Sequence, residues 1–205
     1  MKILEELRKM PWKAEQIRAD NLHDGVAYAL PVSKLGLRIL ITCMSVFLLL
    51  FVIAYSDRMV VSDWRPLQDP WILWLNSALL IFSSLAMQKS LVSVRQDQRE
   101  SMKNYLYLAG GFSFGFVLGQ VWVWNILIDS GYFAAANPAN AFFYLLTGLH
   151  GAHLLGGLVA WGRLIVKEGN GVETVKMVES VELCTIYWHF LLVVWVVFFG
   201  LLLFS

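Results

Sequence analysis

Three histidines and a carboxylate stand in stretches of this sequence that are otherwise almost empty of charge: His150 and His153, then Glu182 and His189. Gln120 and Asn76 sit in similar surroundings, and Arg38 lies near the edge of another such stretch. Two imidazoles at i, i+3 on a helix fall within about 60° of each other, so they can act on one object. Glu182 and His189, seven apart, also share a face. Two kinds of chemistry suit the set. A histidine and a carboxylate from a neighbouring helix would complete a four-ligand transition-metal site with the first pair. Alternatively, the groups hydrogen-bond across helices or to lipid head groups, the usual fate of polar side chains in apolar surroundings. The second outcome is expected, because no carboxylate besides Glu182 is at hand to orient the imidazoles. No catalytic, cofactor-binding or metal-ligating residue is therefore predicted.

The surroundings of these residues decide what kind of protein holds them. Of 205 residues, 58% are apolar, and they gather into five blocks with almost no charge, at 35–55, 71–88, 105–128, 141–166 and 183–204. A helix needs about 18 or more such residues to cross the hydrocarbon layer, and each block suffices. The expected fold is all-α, an integral membrane bundle of five transmembrane helices spanning 34–205. Residues 1–33 are read as a cytoplasmic tail. Within it Ile3, Leu4, Leu7 and Met10 recur at helical spacing among Lys and Glu, the pattern of an amphipathic helix that lies on the membrane face or docks a partner. The tail is charged throughout, without the apolar core of a secretory signal, so the first span is expected to be retained.

Charge placement orients the bundle. Lys2, Arg8, Lys9, Lys13, Arg18 and Lys34 precede the first block; Lys89, Arg95, Arg99 and Lys103 fall between the second and third; Arg163, near the end of the fourth block, is followed by Lys167 and Lys176 before the fifth. The stretch 129–140 has no Lys or Arg. The positive-inside rule then puts the amino terminus in the cytoplasm and the carboxyl terminus in the periplasm. With 16 basic against 15 acidic residues, no nucleic-acid partner is expected. Trp64, Trp71, Trp74, Trp122 and Trp124 are placed as an interfacial belt. Recurring small residues, Gly111, Gly115 and Gly119 in the third block and Gly148, Ala152, Gly156 and Ala160 in the fourth, predict where helices pack closely. Cys43 and Cys184 fall inside spans and are read as small buried residues.

Residues 142–154 read F-F-Y-L-L-T-G-L-H-G-A-H-L, which resembles the signature of subunit III of haem-copper oxidases, an aromatic pair followed by T-G-x-H-G-x-H. Glu182, followed by Tyr187-Trp188-His189-Phe190 and Val193-Val194-Trp195, resembles that family's E-x(4)-Y-W-H-F-V-D-V-V-W. Weaker echoes are Leu35-Gly36, Asn76 with Ser83-Ser84, and Gln120. The resemblance implies a short five-helix form and a non-catalytic subunit of a bacterial terminal oxidase in the inner membrane. Such a subunit would support the catalytic subunit I beside subunit II, holding phospholipid while haem and copper sit in the partner chains. It also implies a lipid head group at Lys167, to which Arg163 is neighbour. Three positions depart from the family pattern: Met44, Val123 and Leu192 stand where members usually have carboxylates. Two other functions compete: the related small membrane subunit of nitric oxide reductase systems, and an intramembrane metal enzyme or transporter.

Overall fold

The computed structural model describes residues 32–65, 71–170 and 173–204. The expected tail helix lies outside the described residues. All regular structure among them is helical: α1 (Val32–Met59), α2 (Ile72–Arg95), α3 (Arg99–Asp129), α4 (Pro138–Gly169) and α5 (Thr174–Leu203). Each is long and apolar enough to cross a membrane. Residues up to Gly36 belong to one compact unit, of which only the first turn of α1 is described, and residues from Leu37 onward form the other.

Within this second unit, α2, α3, α4 and α5 form a ring in which each packs on the next and α5 closes against α2. Neighbours run antiparallel, as cross-helix pairs show: Asn76 with Gln120 and Ser90 with Met102 between α2 and α3, Ser77 with Trp195 and Ser84 with His189 between α2 and α5. The α2–α3 pair is the most intimate. It turns in three residues, with Asp97 at φ 57° and the Gln98 amide donating back to Ser93 O at 2.9 Å. That is a Schellman closure, in which Asp occupies the left-handed position glycine usually takes. The α3 end repeats it with Gly131 at φ 84° and Tyr132 N–H donating to Leu127 O at 2.9 Å. At the start of α4, Asn137 caps the first turn by accepting from Ala139 N–H at 3.3 Å, and Pro138 takes the first helical position, where its missing N–H costs nothing.

The ring is pinned by tryptophans bonded to hydroxyls or carbonyls inside it. Trp188 Nε1–H lies 2.9 Å from Ser83 Oγ and 3.1 Å from Ser113 Oγ, and Ser83 in turn donates to Ala109 O at 2.8 Å. Three helices therefore meet at one polar node. Trp195 donates to Ser77 Oγ (2.9 Å), Trp161 to Leu106 O (2.8 Å) and Trp124 to Thr147 Oγ1 (3.1 Å). Trp71, Trp74 and Trp122 stay exposed, as a belt requires, but Trp124 turns inward to bond α4 and Trp64 packs beside Tyr55 and Phe142. These inward rings correct the belt expectation: Trp124 gains a buried acceptor in Thr147, whereas Trp64 is held by ring packing alone, its indole nitrogen having no partner among the described residues.

The small-residue expectation also needs correcting. Along α4, Gly148, Ala152, Gly156 and Ala160 face outward or stand half-exposed, and a Cβ on Gly156 would meet nothing within 4 Å. Close approach does occur at Gly119 of the expected series, against Asn76 Oδ1, and otherwise at Gly157, whose added Cβ would lie 3.0 Å from the Tyr187 ring, and at Gly110 against the Trp161 ring. Large partners, not matched small ones, fill these gaps. Outside the ring, α1 buries only Tyr55 among its described residues, in a cluster with Leu146, Val194 and Phe198.

Candidate functional site

The polar side chains singled out from the sequence do not converge on one centre. They divide into separate groups along the helix seams.

His189 sits between α2 and α5. The Ser84 hydroxyl lies 2.5 Å from Nδ1, and Nε2 lies 3.0 Å from Gln88 Oε1. The carboxamide oxygen can only accept, so Nε2 carries the proton and Nδ1 accepts from Ser84. Glu182, two turns nearer the other end of α5, approaches Arg95 of α2 at 3.7 Å. The shared face of Glu182 and His189 thus serves to staple α5 onto α2, on the side away from the other two histidines. Gln120 of α3 accepts from Asn76 Nδ2 of α2 at 3.2 Å, with both residues buried. Asn76 Oδ1 and Gln120 Nε2 remain without partners among the described residues.

His150 and His153 do share a face of α4, as the spacing requires; a bond across helices, one of the two outcomes expected for them, is formed by neither side chain among the described residues. His153 Nδ1–H donates to Leu149 O, one turn back on its own helix, at 2.8 Å. Only its backbone oxygen reaches α5, accepting from the Tyr187 hydroxyl at 3.0 Å. His150 is 1% exposed, and neither ring nitrogen has a partner among the described residues. Its ring is held by aromatic neighbours instead, with Phe116 and Trp195 at centroid distances of 5.6 and 5.3 Å.

The three positions that depart from the acidic pattern are all apolar contacts here. Val123 is fully buried in the hydrophobic cluster with Phe116, Phe143 and Trp195, and Leu192 packs against that cluster. Met44 lines the same cavity as His150 and His153, so a carboxylate at that position would face the histidine that lacks a partner. Among the described residues no group of three or more His, Cys, Asp or Glu could hold a metal.

A groove of about 440 Å³ runs between Leu37 and Leu40 of α1 and the α4–α5 seam, with Arg163 and Lys167 along it. Lys167 Nζ lies 3.1 Å from Ser180 Oγ. Around the same end of the ring Lys103 pairs with Glu168 at 3.0 Å and Arg99 donates to Thr174 Oγ1 at 2.8 Å.

The node of Ser83, Ser113 and Trp188 had not been anticipated from sequence. Its signal was present: Trp188 and Trp195 fall in mid-span, away from belt depth, and an indole there needs an acceptor from a neighbouring helix.

A family model described as cytochrome c oxidase subunit III matches residues 33–204. The chain is similar to a probable cytochrome c oxidase subunit 3 of Mycobacterium tuberculosis, 29% identical over 126 residues that cover 62% of each chain. It is also similar to cytochrome c oxidase subunit 3 of Thermostichus vulcanus, 30% identical over 129 residues covering 62% of this chain and 63% of that one. With the protein of the same name from Synechocystis it is 30% identical over 162 residues, 76% of this chain and 67% of that one. The match to the first two spans less than two thirds of their length.

Proposed function

The chain belongs to the cytochrome c oxidase subunit III family, and from that premise we propose that it is the non-catalytic third subunit of a bacterial haem-copper terminal oxidase. It is a multi-pass membrane protein, and in this reading it packs beside subunits I and II, in which haem and copper reside, and stabilises the catalytic subunit. The observation that carries the reading is the use made of membrane-depth polar groups. Ser83, Ser113 and Trp188, Asn76 and Gln120, and Ser84, His189 and Gln88 join helices to each other. Such bonds contribute about 0.6–2 kcal/mol each in a bilayer, enough to fix packing and register.

Phospholipid belongs to the same proposal. Arg163 and Lys167 present cationic heads beside an apolar groove, which suits an anionic head group with its acyl chain along the helices. Copurification tests the main reading directly. The intact chain, isolated from its native membrane with mild detergent, should bring haem-copper oxidase subunits with it, identified by mass spectrometry. Isolation with nitric oxide reductase subunits, or with no haem protein, would overturn it.

A further inference from the structure

A cavity of about 370 Å³ lies between α1 and the α4–α5 pair. Met44, Phe47, Leu48 and Phe51 form one wall; the other carries His150 and His153 among apolar neighbours from α4 and α5. The volume falls at the lower end of the range for small-molecule sites. Two imidazoles are the polar groups of an otherwise hydrocarbon-like lining. Their hydrogen-bonding capacity is set. His153 gives its Nδ1–H to Leu149 O, so in the uncharged ring Nε2 is an acceptor. His150 adds one donor and one acceptor, both unpartnered among the described residues.

We propose that this cavity binds a membrane-soluble molecule with an apolar body and one hydroxyl group, a phenol or a long-chain alcohol, whose hydroxyl bridges the two imidazoles. The O–H donates to His153 Nε2 and the oxygen accepts from the His150 ring N–H. A carbonyl could only accept and would leave the His153 acceptor unmet; an ammonium could only donate and would bring a charge into hydrocarbon. A hydroxyl does both without charge. Phe47, Phe51 and Phe198 line the remaining space, suited to a ring or a chain. Phe116 and Trp195 pack against the His150 ring, and its buried nitrogens come within reach of the hydroxyl when the ligand enters the cavity. The inference rests on the cavity alone and stands whether or not the chain serves a terminal oxidase.

The full-length protein, labelled with 15N-histidine and held in phosphatidylcholine nanodiscs, provides the test. It is titrated with 4-butylphenol, decan-1-ol and butylbenzene, the last having an apolar body without the hydroxyl. A hydroxyl probe should shift the His153 Nε2 resonance saturably, and butylbenzene should not. His153→Leu should weaken retention of radiolabelled probe about three- to tenfold, the factor carried by one net hydrogen bond. Leu48→Trp, which fills the cavity, should abolish it, with helicity checked by circular dichroism. Response to the phenol alone assigns the site to a phenolic ring; response to the alcohol as well assigns it to a hydroxyl-bearing lipid chain. Equal response to butylbenzene, no saturable response in a helical protein, or a response that survives in a folded Leu48→Trp variant overturns the proposal.

Discussion

At the scale of single residues, the interior shows why matching polar groups by type is easier than matching them by place. The sequence marks His150, His153, Glu182, His189 and Gln120 as polar groups at membrane depth. It does not reveal that His189 meets Ser84 and Gln88 while His150 meets only rings. Which neighbour a side chain faces depends on the rotation of each helix about its axis, and that is fixed by packing of the whole ring. Substitutions probe the consequences. Trp188→Phe removes the N–H shared by Ser83 and Ser113 together with part of a fully buried ring; it should lower unfolding stability in detergent by more than the ~0.6–2 kcal/mol of the hydrogen bond alone. Replacing Ser83 and Ser113 together by Ala removes the acceptors at little cost in volume, and an unchanged unfolding midpoint in that variant would show that the node contributes packing alone. Met44→Glu places a carboxylate in the cavity that His150 and His153 line. With both histidines present it should be tolerated as a charge-assisted pair. With His150→Phe and His153→Phe in the background it should cost about 3–5 kcal/mol more, the penalty of an uncompensated buried charge. Additivity in that double-mutant cycle would mean that the new carboxylate and the imidazoles do not meet.

At the scale of elements, the five spans were legible because hydropathy reports the solvent around a helix. Their ends were not, because the backbone goes on in helical form after the apolar block stops. The block at 183–204 is preceded by more than two further turns, since α5 starts at Thr174, and α2 runs on past Gln88 to Arg95. These extensions hold the pair of Arg95 with Glu182, and those of α3 before Tyr105 and of α4 beyond Val166 hold the pair of Lys103 with Glu168. Repeated small residues misled along α4, though not at Gly119 of α3, for a related reason: spacing identifies a face without saying what that face meets. Glycine matters here where the backbone or a large ring demands it. Gly131→Ala, at φ 84° in open space, should cost about 1–2 kcal/mol from the left-handed conformation alone. Gly110→Ala should cost about 1–3 kcal/mol by forcing the Trp161 ring aside. Thermal unfolding of the two variants separates the causes, because adding Trp161→Leu should relieve only the second. Equal relief of both would refute the assignment.

At the scale of the whole molecule, orientation in the membrane is predicted from the alternation of connections rich and poor in Lys and Arg. The connections with Arg95 and Lys176 should face the cytoplasm, and those with Asp63 and Asn137 the periplasm. A reporter active only in the cytoplasm, inserted after Asn137, should be silent, and one inserted after Gln96 should be active. The reverse pattern would invert the topology. Charge reversal at both Arg163 and Lys167 should reduce the anionic phospholipid retained by the purified protein, measured by mass spectrometry. Retention at the wild-type level would mean that these side chains only anchor the helix ends.

The three-residue turn between α2 and α3 has a further consequence for how the chain is made. Two spans joined so tightly, and packed on each other more closely than any other pair, can leave the insertion machinery together as a finished hairpin while α4 and α5 are still being synthesised. Until α5 arrives with Trp188, the Ser83–Ser113 pair stands without its indole donor. The last helix thus completes a polar contact begun by the early hairpin, and a nascent chain that stalls before residue 188 differs from a finished one in whether that junction is closed.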